Sequence, residues 1–177
     1  DGIKLKPLEA EALYSGIVID TVNFTTKSGV RTFEAAAYLR KNGADITRIR
    51  KTFRSNLDDY RAKAEAISRA EVYKDVFMFA ECEPGDSKNP TVLGAQVANE
   101  LLNIAGIKAT FVLTEYNGKV FISARSMDEV NVQIVMERLG GGGHLSVAGA
   151  QMADHTPQEA KQVLMELLDT MMEEGDL

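Results

Sequence analysis

With 177 residues, of which 45% are apolar and 26% charged, the chain has the makings of a globular protein that buries a core without disulfides. A formal net charge of -6 and a pI of about 5.0 exclude extended binding along a nucleic-acid duplex, which draws on many Lys/Arg–phosphate contacts. They leave room for a pocket that grips one or two phosphates. The single cysteine, Cys82, excludes an internal disulfide and fits a reducing compartment, and no run approaches the ~20 apolar residues of a membrane helix.

Residues 1–14 read as a helical lead-in. Ile17-Val18-Ile19, closed by Asp20, predicts a buried strand with a carboxylate at its C-terminal end. Thr32 is expected to cap a helix carrying Phe33, Ala36, Ala37 and Leu39, stopped by Asn42-Gly43. Asp45 caps a short helix through Ile49 and Phe53. Ser55 or Asn56 opens a longer one with Leu57, Tyr60, Ala64 and Ile67 on one face, a connector between two domain pieces.

From Val72 the pattern changes. Residues 76–82 predict a strand and 83–90 an acidic loop, and Thr91 is expected to cap a helix through Val97, Leu101 and Leu102. Residues 107–116 and 119–123 form a predicted hairpin turned by Asn117-Gly118. A helix over 129–139 leads into Gly140, Gly141, Gly142, Gly143 and His144, and a strand follows over 150–153. Thr156, Pro157 and Glu159 mark the start of a last helix with Val163, Leu164, Leu167 and Leu168. The alternation of strands and helices predicts an α/β fold with a mixed β-sheet flanked by helices.

Four glycines in a row demand an explanation. One suffices to stop a helix, and each extra one costs roughly 0.5–1 kcal/mol relative to alanine. Close approach of bare main-chain amides to a ligand would offset that cost. The small-residue segment after His144 would then open a short helix whose N-terminus favours anions. The plain alternative is a flexible connector. His144 can hydrogen-bond a phosphate or a base, whereas His155, before a helix cap, reads as structural or solvated. Arg125 ends an alternating strand about 15 residues before the glycines, and its forked donors suit phosphate. Asp20 is placed as a hard-metal ligand would be, but one carboxylate and two histidines do not make a metal site. Cys82, in an apolar stretch, reads as a buried structural thiol.

Gly141-Gly142-Gly143-His144 with Ala148-Gly149 resembles the GGGH signature of the DHH-associated domain in DHH-family phosphoesterases. Ile17-Val18-Ile19-Asp20-Thr21, Phe24, the 31–36 segment and Tyr38-Leu39-Arg40 resemble the fourth DHH motif of the GdpP-like cyclic-di-AMP phosphodiesterases. Ile122-Ser123-Ala124-Arg125-Ser126, Asn131-Val132-Gln133 and Met136-Glu137 resemble the same branch, while Ser146-Val147 and Gly149 depart from it.

The resemblance implies that residues 1–54 end a DHH catalytic domain, 55–72 form the connector helix and 73–177 form the DHH-associated, substrate-binding domain. It makes Asp20 a ligand of Mn2+, in a two-manganese centre that activates water against a phosphodiester with pApA as product. It makes Arg125, the glycines 140–143 and His144 the contacts to a cyclic dinucleotide or short nucleotide. The family's first three motifs would lie before Asp1, so the catalytic residues stay unassigned and the chain alone is expected to be inactive. It further implies a membrane-anchored parent with this soluble part in the cytoplasm, touching neither membrane nor extended nucleic acid. Two other activities are weighed beside it. One is an oligoribonuclease or pAp phosphatase of the same superfamily. The other is a nucleic-acid-binding module like that of alanyl-tRNA synthetases, against which the acidic charge counts. A homodimer through the last helix, with Met165, Met171 and Met172, is left open.

Overall fold

A computed structural model describes residues 4–127 and 129–177. The chain divides into two compact units, Asp1–Ser55 and Asn56–Leu177.

The smaller unit holds three helices among its described residues: α1 (Pro7–Asp20), α2 (Val30–Lys41) and α3 (Ile46–Thr52). They enclose a core of Ala10, Tyr14, Ala36, Leu39, Ala44 and Ile49. The predicted strand at Ile17-Val18-Ile19 is the last turn of α1 instead. Taken alone the triplet is β-branched, but Ala10, Tyr14, Ile17 and Val18 stand at helical spacing, and that stripe packs on the core. Asp20 is therefore the exposed last residue of a helix and not the end of a buried strand. The lead-in helix runs on through it, and its first three expected residues lie outside the described ones. Thr32 sits inside α2; Gly29 is the cap, and the Thr32 hydroxyl accepts its N–H at 3.3 Å. Asp45 caps α3 as expected, accepting from the Thr47 and Arg48 amides, which hold its carboxyl below the usual range.

Among its described residues the larger unit is a mixed six-stranded sheet flanked by four helices, an α/β arrangement. Its strands are β1 (Glu71–Tyr73), β2 (Phe77–Cys82), β3 (Ala109–Tyr116), β4 (Lys119–Ser126), β5 (Gly142–His144) and β6 (Val147–Ala153). They lie in the order β1-β2-β3-β4-β6-β5. Only β2 and β3 run parallel, as the crossover helix α5 (Pro90–Leu101) between them requires. The β3–β4 hairpin turns on Asn117 and Gly118, at φ 51° and 70°. One sheet face carries Phe79, Phe111, Leu113 and Ile122 against α6 (Val132–Arg138) and α7 (Pro157–Glu174), which bury Met136, Leu164 and Leu168. The other carries Met78, Ala80 and Val112 against α4 (Leu57–Ser68) and α5.

α4 presents Ala62, Ala66 and Ile67 to this second face, while Leu57 and Tyr60 of the predicted stripe are 61% and 64% exposed. Alanines let the helix approach closely where larger side chains would hold it off. Pro90, free of the need for an N–H donor, starts α5 one residue before the predicted cap at Thr91. Asn131 starts α6 later than predicted by accepting the Gln133 amide at 3.1 Å. The segment after His144 forms the β5–β6 hairpin, not a short helix, because its small residues pair across the two strands. No described helix is long and apolar enough to cross a membrane.

At the β1 edge, the Tyr73 hydroxyl donates to Asp169 of α7 at 2.6 Å. That bond, and burial second, push the phenol up to about 12. A raised acid pKa means this contribution is complete below the unfolded value near pH 10 and is lost as pH rises through about 12. Tyr73→Phe is expected to flatten the fall in stability across that window, read as urea midpoints at about pH 9 and about pH 11.5. A parallel fall in both proteins refutes the assignment.

Candidate functional site

The alternation of β4 divides its side chains between the two faces. Val120, Ile122 and Ala124 enter the α6–α7 core, so Phe121, Ser123 and Arg125 point to the α5 side. Register extends this face across the neighbouring strands. Arg125 pairs with Val147, which pairs with His144; Ser123 pairs with Gly149, which pairs with Gly142. Cross-strand partners share a face. Arg125 and His144 therefore stand in one row, two strand spacings or about 10 Å apart at the backbone. The next row has two glycines, and a third brings Phe121 beside Gln151. Over the Ser123 and Phe121 rows, next to the row of Arg125 and His144, lies an open cleft of about 410 Å³ lined by Thr91, Phe121, Ser123, Gly141, Gly149 and Gln151.

Helix α5 walls the cleft at close range. A Cβ on Gly94 would stand 2.3 Å from the Thr114 hydroxyl and 3.8 Å from that of Ser123, so only glycine lets α5 settle this near the sheet. Five residues on, Asn99 Oδ1 accepts the Arg125 Nε–H at 2.9 Å, and Arg125 Nη1 donates to the Ala124 carbonyl at 2.8 Å. Among the described residues no carboxylate pairs with this half-buried guanidinium, and burial alone pulls it below its ordinary pKa. A half-buried cation that no described carboxylate neutralises can take an anionic partner.

The four glycines prove to be unlike one another. Gly140, at φ 76°, donates to the Glu137 carbonyl, and Gly141 donates to that of Met136. Together they close α6 in a Schellman motif. These two amides are thus occupied, which corrects the expectation of a run of bare donors. Gly141 and Gly143 lie hard against β6: a Cβ there would come within 2.2 Å of the Gly149 carbonyl oxygen and 2.4 Å of that of Val147, respectively. Gly142 alone has open space where its side chain would be and no left-handed backbone to require a glycine. Its place in the floor beside Gly149 is the one that a ligand would explain. The His144 side chain is exposed, and its imidazole makes no hydrogen bond among the described residues.

Cys82 and His155 do not line this cleft. Cys82 is buried, and its thiol is pushed up to about 11, by burial first, as befits a structural thiol. His155 is exposed and contacts the Ala153 carbonyl through Nδ1 at 2.7 Å. Asp20 belongs to the smaller unit, and no three His, Cys, Asp or Glu among the described residues gather closely enough to hold a metal ion. This donor set does not fit a manganese centre. Asn99 carried no motif in the sequence, and Gln96 and Glu100 of the same helix leave it undistinguished there.

Comparison with known proteins agrees with this architecture. The DHHA1 domain model matches residues 75–174. The chain is 45% identical over 174 residues to the cyclic-di-AMP phosphodiesterase GdpP of Geobacillus thermodenitrificans, a match covering 98% of this chain and 26% of that protein. To the cyclic-di-AMP phosphodiesterase PdeA of Listeria monocytogenes it is 42% identical over 163 residues, covering 92% of this chain and 25% of the relative. The chain thus spans about a quarter of the length of these relatives. The crystal structure of an exopolyphosphatase-related protein from Bacteroides fragilis matches with a TM-score of 0.81 and 23% identity, over 94% of this chain and 51% of that one, and speaks for the fold alone. The family match takes in nearly all of the sheet together with α5, α6 and α7, and on that ground the chain belongs to the DHHA1 domain family.

Proposed function

We propose that this chain is the nucleotide-holding part of a cyclic-di-AMP phosphodiesterase whose full-length form uses manganese to open the cyclic substrate to pApA. The observation that carries the reading is Arg125: a half-buried guanidinium with no carboxylate partner among the described residues, beside a floor of glycine. The guanidinium has five N–H donors; Asn99 and Ala124 take two, so three remain for a phosphate. His144, in the same row, supplies a second donor at the rim, and the uncovered backbone of Gly142 and Gly149 lets a phosphate or sugar lie flat on the sheet. The two relatives with 45% and 42% identity bear the name of this activity. In this reading the parent is anchored in a membrane with the present part facing the cytoplasm. The metal and the groups that attack phosphorus lie outside the cleft, which binds and orients.

Calorimetry of the purified chain with cyclic-di-AMP, pApA and pAp is the test. Binding of the first two ahead of pAp is expected, with no hydrolysis on adding manganese. Preference for pAp points to a pAp phosphatase, and retention on single-stranded RNA at ~150 mM salt points to a nucleic-acid module. Manganese-dependent turnover by this chain refutes the proposed division of labour.

A further inference from the structure

We infer that Asn99 is the positioning residue of the Arg125 guanidinium beside this cleft, a neutral acceptor that fixes its orientation without cancelling its charge. The inference rests on the reading of Arg125 as a phosphate donor. Three observations converge on Asn99. Its Oδ1 takes the Nε–H of Arg125 at 2.9 Å. The backbone that presents it is itself anchored, because the buried Thr110 hydroxyl donates to the carbonyl of the preceding Ala98 at 2.9 Å. Thr110 is also the cross-strand partner of Arg125, so the clamp and the clamped residue share one register. Gly94, five residues earlier, admits the helix to this depth.

Spending Nε–H on Asn99 and one Nη1 proton on Ala124 leaves Nη2 and the second Nη1 proton, adjacent donors that suit a forked contact to an anion. A freely rotating arginine would have to freeze on binding, so holding it in advance strengthens the complex. The chemical identity of the holder matters as well. An aspartate at 99 would hold the guanidinium equally well but would pair with it as a counter-ion and compete with phosphate.

Asn99→Ala and Asn99→Asp separate this role from a merely structural one. Alanine is the better helix former, so α5 tolerates the first change. The probes are pApA and, without phosphate, adenosine, titrated against the purified chain. Asn99→Ala is expected to weaken pApA about three- to tenfold at an unchanged melting temperature and with adenosine unaffected. Asn99→Asp is expected to weaken pApA by at least about tenfold, to flatten its salt dependence and to leave the melting temperature unchanged or raised. Opposite signs for stability and binding in one variant are not what loss of a structural contact produces. Wild-type pApA affinity in the aspartate variant overturns the inference, as does weakening of both probes together with a lowered melting temperature or an unfolded alanine variant. Arg125→Ala tells the two levels apart. If it leaves pApA binding intact the proposed function itself falls; if it weakens binding while both Asn99 variants do not, only the role of Asn99 falls.

Discussion

Alanine at Gly141 or Gly143 is expected to destabilise the larger unit by about 3 kcal/mol, the upper end of overpacking costs, while alanine at Gly142 changes stability by less than about 0.5 kcal/mol. At Gly141 the new methyl would lie 2.2 Å from the Gly149 oxygen and 2.7 Å from the Ala150 Cα; at Gly143 it would lie 2.4 Å from the Val147 oxygen and 2.5 Å from the Ala148 Cα. These are backbone atoms, so no rotamer change relieves the overlap and β5 must lift away from β6. Gly143 adds strain of its own, at φ 154°. Gly142 has nothing within 4 Å of its missing side chain. Thermal denaturation should show melting lowered by roughly 10 °C or more in the first two variants and nearly unmoved in the third. A bulkier Gly142→Val would then cover the sheet surface beside Gly149 and is expected to weaken pApA in a chain that still folds. Equal melting temperatures across the three alanine variants refute the assignment.

The glycine run shows what a sequence of this kind conveys and what it withholds. Its conformational cost was visible, and so was the need for something to offset it. What the sequence does not encode is whether the backbone is bared toward a ligand or toward another strand, since both require the same absence of a Cβ. Gly140 ends a helix, Gly141 and Gly143 admit β6, and Gly142 is left open on the sheet. A fourfold motif thus contains one position whose openness the fold does not use.

Local signals translated directly. Asn117-Gly118 turned a hairpin, and Thr156 with Glu159 formed the reciprocal cap that opens α7, since both depend on neighbours a few residues away. The α/β class followed from the alternation of such segments. Ile17-Val18-Ile19 was misread because a three-residue window sees β-branching and not the stripe that starts at Ala10. The face of α4 was misread because large apolar residues attract attention, whereas small ones set how close helices can come. Asn99 was out of reach for a different reason. Its partner, 26 positions away in the sequence, is brought to it only when α5 crosses β4, and nothing in either segment announces the meeting.

Replacing Arg125 by alanine is expected to weaken pApA binding by one to two orders of magnitude while leaving the melting temperature unchanged or raising it. The first effect follows from losing charge-assisted hydrogen bonds, worth about 1.5–3 kcal/mol, or roughly ten- to more than a hundredfold in affinity. The second follows from the burial of a cation that no carboxylate among the described residues compensates, so that truncation removes a desolvation cost along with two hydrogen bonds to neutral acceptors. Arg125→Lys discriminates further. It restores the charge but, as a single ammonium on a flexible stem, cannot both engage Asn99 and fork a phosphate. Lysine is therefore expected to recover less than about half of the lost binding energy, and most of that only at low salt, where an unfixed charge is least screened. Calorimetry at about 50 mM and about 300 mM salt measures both. Full recovery by lysine would mean that charge alone holds the ligand. A large drop in melting for the alanine variant would mean that Arg125 serves the fold, and the glycine floor beside it would then need another explanation.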